Sequence, residues 1–245
     1  MIESMVKKLN VMGIALDYYP MRESLLLIEK FFKDSAMNIV RLVNMEQMVM
    51  AGSDDAVREA LENTELPVIA DRAIFEAAGV EVPVRLGETS HTDFFTEFMR
   101  RIYRANRSVY LIGDSRDSLD AFQNYLKEEY KHLNVIGATV VGENDVEMEK
   151  VVNDINIVLP DVVMSILPSP QQDYFLNRHF RQIYAKVWLG LSDDRRIAKK
   201  SGKIRRFWRE HIESRLFHIH VNRFYEQFRD GESSFAPGTD DTKER

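Results

Sequence analysis

Arg107–Gly142, RSVYLIGDSRDSLDAFQNYLKEEYKHLNVIGATVVG, decides the fold class. It opens on an apolar, β-branched run (Ser108–Gly113) and turns through Gly-Asp-Ser. It continues with apolar residues at helical spacing (Arg116–Tyr130) and closes on a second apolar run, Asn134–Ala138. Short runs that are apolar without alternation read as strands covered on both faces. Strand, helix and strand in that order give a parallel pair joined by a right-handed crossover.

The same unit recurs on both sides. Apolar runs fall at Asn38–Val43, Leu66–Ala70, Asp161–Leu167 and Ala185–Gly190. Helix-period segments fall at Glu23–Phe32, Asp54–Glu62, Thr92–Arg104, Asp145–Asp154 and Gln171–Tyr184. Ser115 and Asp145 are the expected N-caps, and a short β-pair is expected near Val11–Asp17. The fold class is therefore α/β, a Rossmann-like parallel sheet flanked by helices, over residues 1–194. Residues 195–229 read as a basic, amphipathic helical appendage, and 230–245 (DGESSFAPGTDDTKER) as a polar, disordered tail.

The chain has 245 residues, 44% hydrophobic and 29% charged, which fits a globular protein with a sizeable core. It has no cysteine, which excludes disulfides, thiol catalysis and Cys-ligated metal. No apolar run reaches the roughly 18 residues of a membrane span, and MIESMVKKLN lacks the apolar core of a signal peptide. A cytoplasmic protein, free or peripherally bound to a membrane, is expected. The net charge of −6 is unevenly distributed. Arg195–Arg229 holds eleven Lys/Arg against three Glu, an excess of +8, leaving −14 on the remainder. A basic segment on an acidic body suits a locally met anionic partner.

In open parallel sheets, ligands bind beyond the carboxyl ends of the strands. The residues just after each run are Asn44, Glu46, Asp71, Arg72, Gly113, Asp114, Ser115, Thr139, Gly142, Ser169, Gln171, Gln172, Ser192 and Asp193. This row is polar and carboxylate-rich. It suits general-base chemistry by an Asp and hydrogen bonding to a sugar or nucleotide. GDSRDS lacks the Gly-Lys-Ser/Thr of a phosphate-binding loop, and no GxGxxG fingerprint is present. No D-x-D motif follows a strand. His218 and His220 are two apart and would face opposite ways on a helix, so no metal site is expected.

Each position has a plainer alternative. Asp71 could cap the helix that begins after it, and Asn44 could be a turn or capping residue. Glu46 could serve only the helix dipole, and Gln172 could be a solvated first-turn residue. Gly113–Ser115 could be loop geometry, or could admit a phosphate at a helix N-terminus. Thr89, Ser90, Thr92 and Asp93 form a capping cluster that could line the site. Beyond the sheet, Trp208, Ile212, Leu216 and Ile219 form one apolar stripe, and Phe217, Val221, Phe224 and Phe228 a second. Arginines surround both stripes. Such a helix suits an anionic membrane surface, or else packs as core with a solvated basic face. The body is expected to fold without residues 203–245, whose removal would abolish membrane association.

Four segments, in order, resemble the WecG/TagA/CpsF glycosyltransferases. They are LNVMGIALD (Leu9–Asp17), RLVNMEQMVMAGSDDAVREALENTELPVIAD ending at Asp71, the Arg107–Gly142 stretch, and PQQDYFL (Pro170–Leu176). The resemblance implies an inverting, metal-independent enzyme that needs no cofactor. It would move an N-acetylhexosamine, N-acetylmannosamine-like, from a UDP-sugar to an undecaprenyl-diphosphate-linked sugar in cell-surface polysaccharide or teichoic acid synthesis. It implies a catalytic role for Asp71, as the base that takes the acceptor proton, and for Asn44. Substrate binding would fall to Glu46, Arg72, Gly113, Asp114, Ser115 and Gln172. Arg205, Arg206, Arg209 and Arg215 would hold the lipid diphosphate at the inner face of the membrane. Asp173 reads as a helix N-terminal charge.

Three positions depart from the family pattern: Arg72 in place of Gly, Leu42 in place of Thr, and LGLSDDR without its glycine pair and Phe. These departures motivate an alternative, a catalytically degenerate binding or scaffolding subunit of a polysaccharide-assembly complex. An RNA-binding reading is disfavoured, because aromatics in apolar stripes would be buried and not offered for stacking; no nucleic-acid partner is expected. A homo-oligomer is compatible with all of this.

Overall fold

The six apolar runs form one parallel sheet. The computed structural model describes residues 6–69, 71–83, 91–142, 144–191, 217 and 219–226. Ahead of the sheet stands a hairpin of β1 (Lys7–Val11) and β2 (Ile14–Tyr18). The sheet strands are β3 (Asn38–Val43), β4 (Leu66–Ile69), β5 (Ser108–Gly113), β6 (Asn134–Val140), β7 (Val162–Ser165) and β8 (Val187–Gly190). Their order across the sheet is β4-β3-β8-β7-β5-β6, and every neighbouring pair is parallel.

The connecting helices are α1 (Met21–Phe31), α2 (Met45–Ala51), α3 (Asp55–Glu62), α4 (Arg72–Ala77), α5 (His91–Arg104), α6 (Arg116–Glu129), α7 (Asp145–Val158) and α8 (Gln171–His179). Alternate strand residues point to opposite faces. Val40, Leu42, Leu111, Met164 and Leu189 face α1, α5 and α6 in one buried cluster. Ile39, Ile112, Val163 and Trp188 face α7 and α8 in another. The crossover after β5 thus leaves on one face and that after β7 on the other, which makes the adjacent β5 and β7 a switch point of the sheet.

A third cluster joins the hairpin to α2, α3 and α4 around Val43 and Ile69, the last residues of β3 and β4. Met12 (φ 52°) and Gly13 (φ 74°) form the two-residue hairpin turn, and two consecutive left-handed residues match the twist of the strands they join. Phe217 and Val221 are buried in this cluster, with Phe224 packed against it, and the Met12 N–H donates to the Tyr225 hydroxyl at 3.1 Å. These contacts bear against the expectation that the body can dispense with everything after residue 202. Of the second apolar stripe, Phe217 and Val221 are core, whereas Ile219 of the first is 47% exposed. The rest of residues 195–229, and the tail, lie outside the described residues.

Several boundaries differ from the sequence reading for local reasons. Asn144, not Asp145, caps α7, accepting from the Glu147 N–H at 2.9 Å, while Asp145 pairs with Arg178 on α8. Asp161 stays outside β7 because its carboxylate holds the start of β5. It accepts from the Ser108 N–H and from Arg107, each at 2.9 Å. Helix α8 stops at His179 and passes into a single 3-10 turn, Phe180–Gln182. Helix α2 was not expected. It is held by a reciprocal capping box, in which Asn44 Oδ1 accepts from the Gln47 N–H and Gln47 Oε1 from the Asn44 N–H.

Candidate active site

Strands β3 and β4 are neighbours, so the residues after them meet. Asp71 stands at the N-cap position of α4, but its side chain makes no capping bond there. Instead its Oδ2 accepts from the backbone N–H of Met45, the first residue of α2, at 3.2 Å. A carboxylate from one strand end is thus pinned beside Asn44 at the next. Asn44 itself is the N-cap of α2, with its oxygen committed to the capping box. Glu46 is an exposed first-turn residue of α2. Arg72 does not lean over Asp71's turn: its side chain is 71% exposed and its Nε pairs with Glu76 Oε1 at 2.7 Å, one turn along α4.

The other predicted residues stand further along the same edge. Between Asp71, after β4, and Asp114, after β5, lie β3, β8 and β7. At about 4.8 Å per strand, that is roughly 19 Å. Gly113 is buried where a Cβ would meet the Ile166 side chain at 3.1 Å, Asp114 is exposed, and Ser115 caps α6 by accepting from the Ser118 N–H. The Asp71–Asn44 pair and the Gly113–Ser115 turn are therefore separate parts of the edge. Thr139 extends β6 and contacts the Tyr110 hydroxyl at 2.6 Å. Arg205, Arg206, Arg209, Arg215, Ser192, Asp193, Thr89 and Ser90 lie outside the described residues.

Gln172 corrects the plainer of its two sequence readings. It is fully buried, not solvated, and neither atom of its amide has a hydrogen-bond partner. The amide lies over Gly190 at the end of β8, where a Cβ would stand 2.7 Å from Oε1 and 3.1 Å from Nε2. Gly190→Ala is therefore expected to overpack this contact and destabilise by about 1–3 kcal/mol, read as a lower urea midpoint. An unchanged midpoint would mean that the amide can swing aside freely.

Sequence reasoning missed the charge beneath this edge. Arg41, inside β3, is fully buried, and its Nη2 lies 2.5 Å from Asp173 Oδ1, also fully buried. Asp173 is the first-turn helix charge expected, and it is also the buried partner of an arginine in the sheet. Arg41 Nη2 also donates to Ser169 Oγ at 2.9 Å, and Gln47 Nε2 reaches the same hydroxyl at 3.4 Å. Arg41 pairs in register with Gly190, so Arg41, Ser169, Gln172 and Asp173 form one layer between the sheet and α8. Burial pushes the Asp173 carboxyl up, against the opposing pull of Arg41. Losing one partner of such a pair costs about 3–5 kcal/mol, whereas replacing both by apolar groups is often neutral or stabilising. The signal was present in NIVRLV: one arginine on the inward face of an otherwise apolar strand needs a buried acid.

A six-stranded parallel sheet with a carboxylate pinned at its carboxyl edge is an α/β arrangement suited to acid–base group transfer. Residues 9–206 match the family model described as "Glycosyl transferase WecG/TagA/CpsF family", and the chain belongs to that family. It is 23% identical over 186 residues to N-acetylglucosaminyldiphosphoundecaprenol N-acetyl-beta-D-mannosaminyltransferase of Staphylococcus aureus strain MRSA252, covering 75% of this chain and 72% of the relative. The same-named protein of strain NCTC 8325 / PS 47 is 22% identical over the same shares. Among the described residues, no three His, Asp or Glu side chains group closely enough to hold a metal ion, and no helix is long and apolar enough to cross a membrane.

Proposed function

We propose that this glycosyltransferase is an inverting, metal-independent enzyme that moves an N-acetylhexosamine, N-acetylmannosamine-like, from a UDP-sugar to an undecaprenyl-diphosphate-linked sugar. The observation that carries the reading is Asp71, held by the Met45 N–H next to Asn44 at the carboxyl ends of two adjacent strands. The Met45 N–H fixes the orientation of the carboxylate. Asp71 takes the proton of the acceptor hydroxyl as that oxygen attacks the anomeric carbon; the bond to the UDP oxygen breaks, and UDP leaves with the electron pair. Asn44 presents its amide nitrogen to the sugar, since its oxygen is engaged. Gln172 contacts the donor from beneath.

The donor lies along the edge toward Gly113–Ser115. Cationic side chains stabilise the departing diphosphate, and the arginines Arg205, Arg206, Arg209 and Arg215 supply this charge while binding the acceptor's lipid diphosphate at an anionic membrane surface. The exposed Arg72, already paired with Glu76, has a smaller part in it. That pairing also weakens the degenerate-subunit alternative, for which Arg72 was one motive.

Titration calorimetry with UDP and a chelator tests the reading. Binding is expected in the millimolar-to-micromolar range without divalent metal. No heat with chelator, and heat restored by manganese, would refute metal independence. Binding of UDP with no turnover would favour the degenerate subunit.

A further inference from the structure

Asp173 and Gln172 are consecutive residues in the first turn of α8. Asp173 is held by Arg41 from β3, and Gln172 lies over Gly190 of β8, the register neighbour of Arg41. The turn itself is closed by two backbone bonds, from the Gln172 N–H to Pro168 O at 2.9 Å and from the Tyr174 N–H to Pro170 O at 3.1 Å. Ser169, in the loop that leads into α8, accepts from Arg41 and Gln47. Gln47 in turn is half of the capping box that holds Asn44. One guanidinium therefore ties the start of α8, its entry loop and the Asn44 turn to the same point of the sheet.

An apolar layer would fill this space with less desolvation. Arg41 is buried with Nε and Nη1 lacking hydrogen-bond partners, and the Gln172 amide has none either. A layer that leaves this many polar atoms unpaired is poorly explained by stability. It is explained by direction: apolar side chains slide, whereas a charge pair with a shared hydroxyl fixes a helix start in one place.

We infer that the Arg41–Asp173 ion pair is a positioning device, which holds the first turn of α8 on β3 so that Gln172 stays aimed at the donor site. The donor half of this inference rests on the reading of Gln172 proposed above; the positioning half does not.

The test replaces both charges by apolar groups, Arg41→Met with Asp173→Leu, in the full chain. The urea midpoint is expected to equal or exceed that of the wild type. Hydrogen-exchange protection of the Gln172 and Tyr174 amides is expected to fall at least tenfold, and the Kd for UDP to rise at least tenfold. Wild-type protection at these two amides in a stable double variant would overturn the positioning role. Lost protection with unchanged UDP affinity would overturn its link to the donor. A wild type that does not bind UDP would refute the proposed function, while the exchange result would still decide the positioning role. Should the double variant not fold, Arg41→Lys keeps the charge without the fork. It is expected to lose part of the protection and part of the affinity, and full retention of both would overturn the inference.

Discussion

Asp71→Asn is expected to lower turnover by roughly 10²–10⁴-fold, the usual contribution of a general base. The geometry favours this substitution over alanine. Asparagine keeps an oxygen to accept the Met45 N–H, which the structure shows bonded to Asp71 Oδ2 at 3.2 Å. Exchanging a charged acceptor for a neutral one should lower stability by only about 1 kcal/mol. No capping bond to α4 is lost, because none is made. UDP affinity should change little, since the base acts on the acceptor hydroxyl. Asp71→Ala would confound the two effects by leaving the Met45 N–H without its acceptor. Steady-state assay with UDP calorimetry separates the outcomes: wild-type turnover in Asp71→Asn would reduce Asp71 to a structural anchor for α2.

The second large effect concerns the helix over 219–226 and Phe217 before it. Phe217 is 2% exposed and Val221 4% exposed, both in the cluster that carries the hairpin, α2 and α4. Phe217→Ala is expected to destabilise by about 3–5 kcal/mol. In a chain of this size, about 2–4 °C of Tm goes with each kcal/mol, so a fall of roughly 6–20 °C should appear in thermal unfolding. Truncation after residue 202 should be worse, since it removes Val221, Phe224 and the Tyr225 hydroxyl that receives the Met12 N–H. The same cluster buries Val43 and Ile69, the last strand residues before Asn44 and Asp71, so activity should fall with stability. A truncated chain with a wild-type midpoint would show that this helix is an appendage after all.

The sequence by itself determined the periodicity, and with it the kind of sheet. Near-continuous apolar runs separated by helical ones dictate a parallel sheet, and a parallel sheet dictates which end of each strand offers a site. Asn44 and Asp71 were legible as candidates on that basis alone, as was the Ser115 cap. Only the tertiary structure decided which strand ends are neighbours. The order β4-β3-β8-β7-β5-β6 brings Asp71 to the start of α2 and keeps Gly113–Ser115 apart. It also decided that Phe217 and Val221 are core while Ile219 is exposed, because apolar residues at helical spacing look alike until the surface they meet is known. The Arg41–Asp173 layer escaped for the same reason. Burial of a charge is a property of what lies across from it, and Arg41 and Asp173 belong to a strand and a helix far apart in the chain, which only the packing of α8 on the sheet brings together.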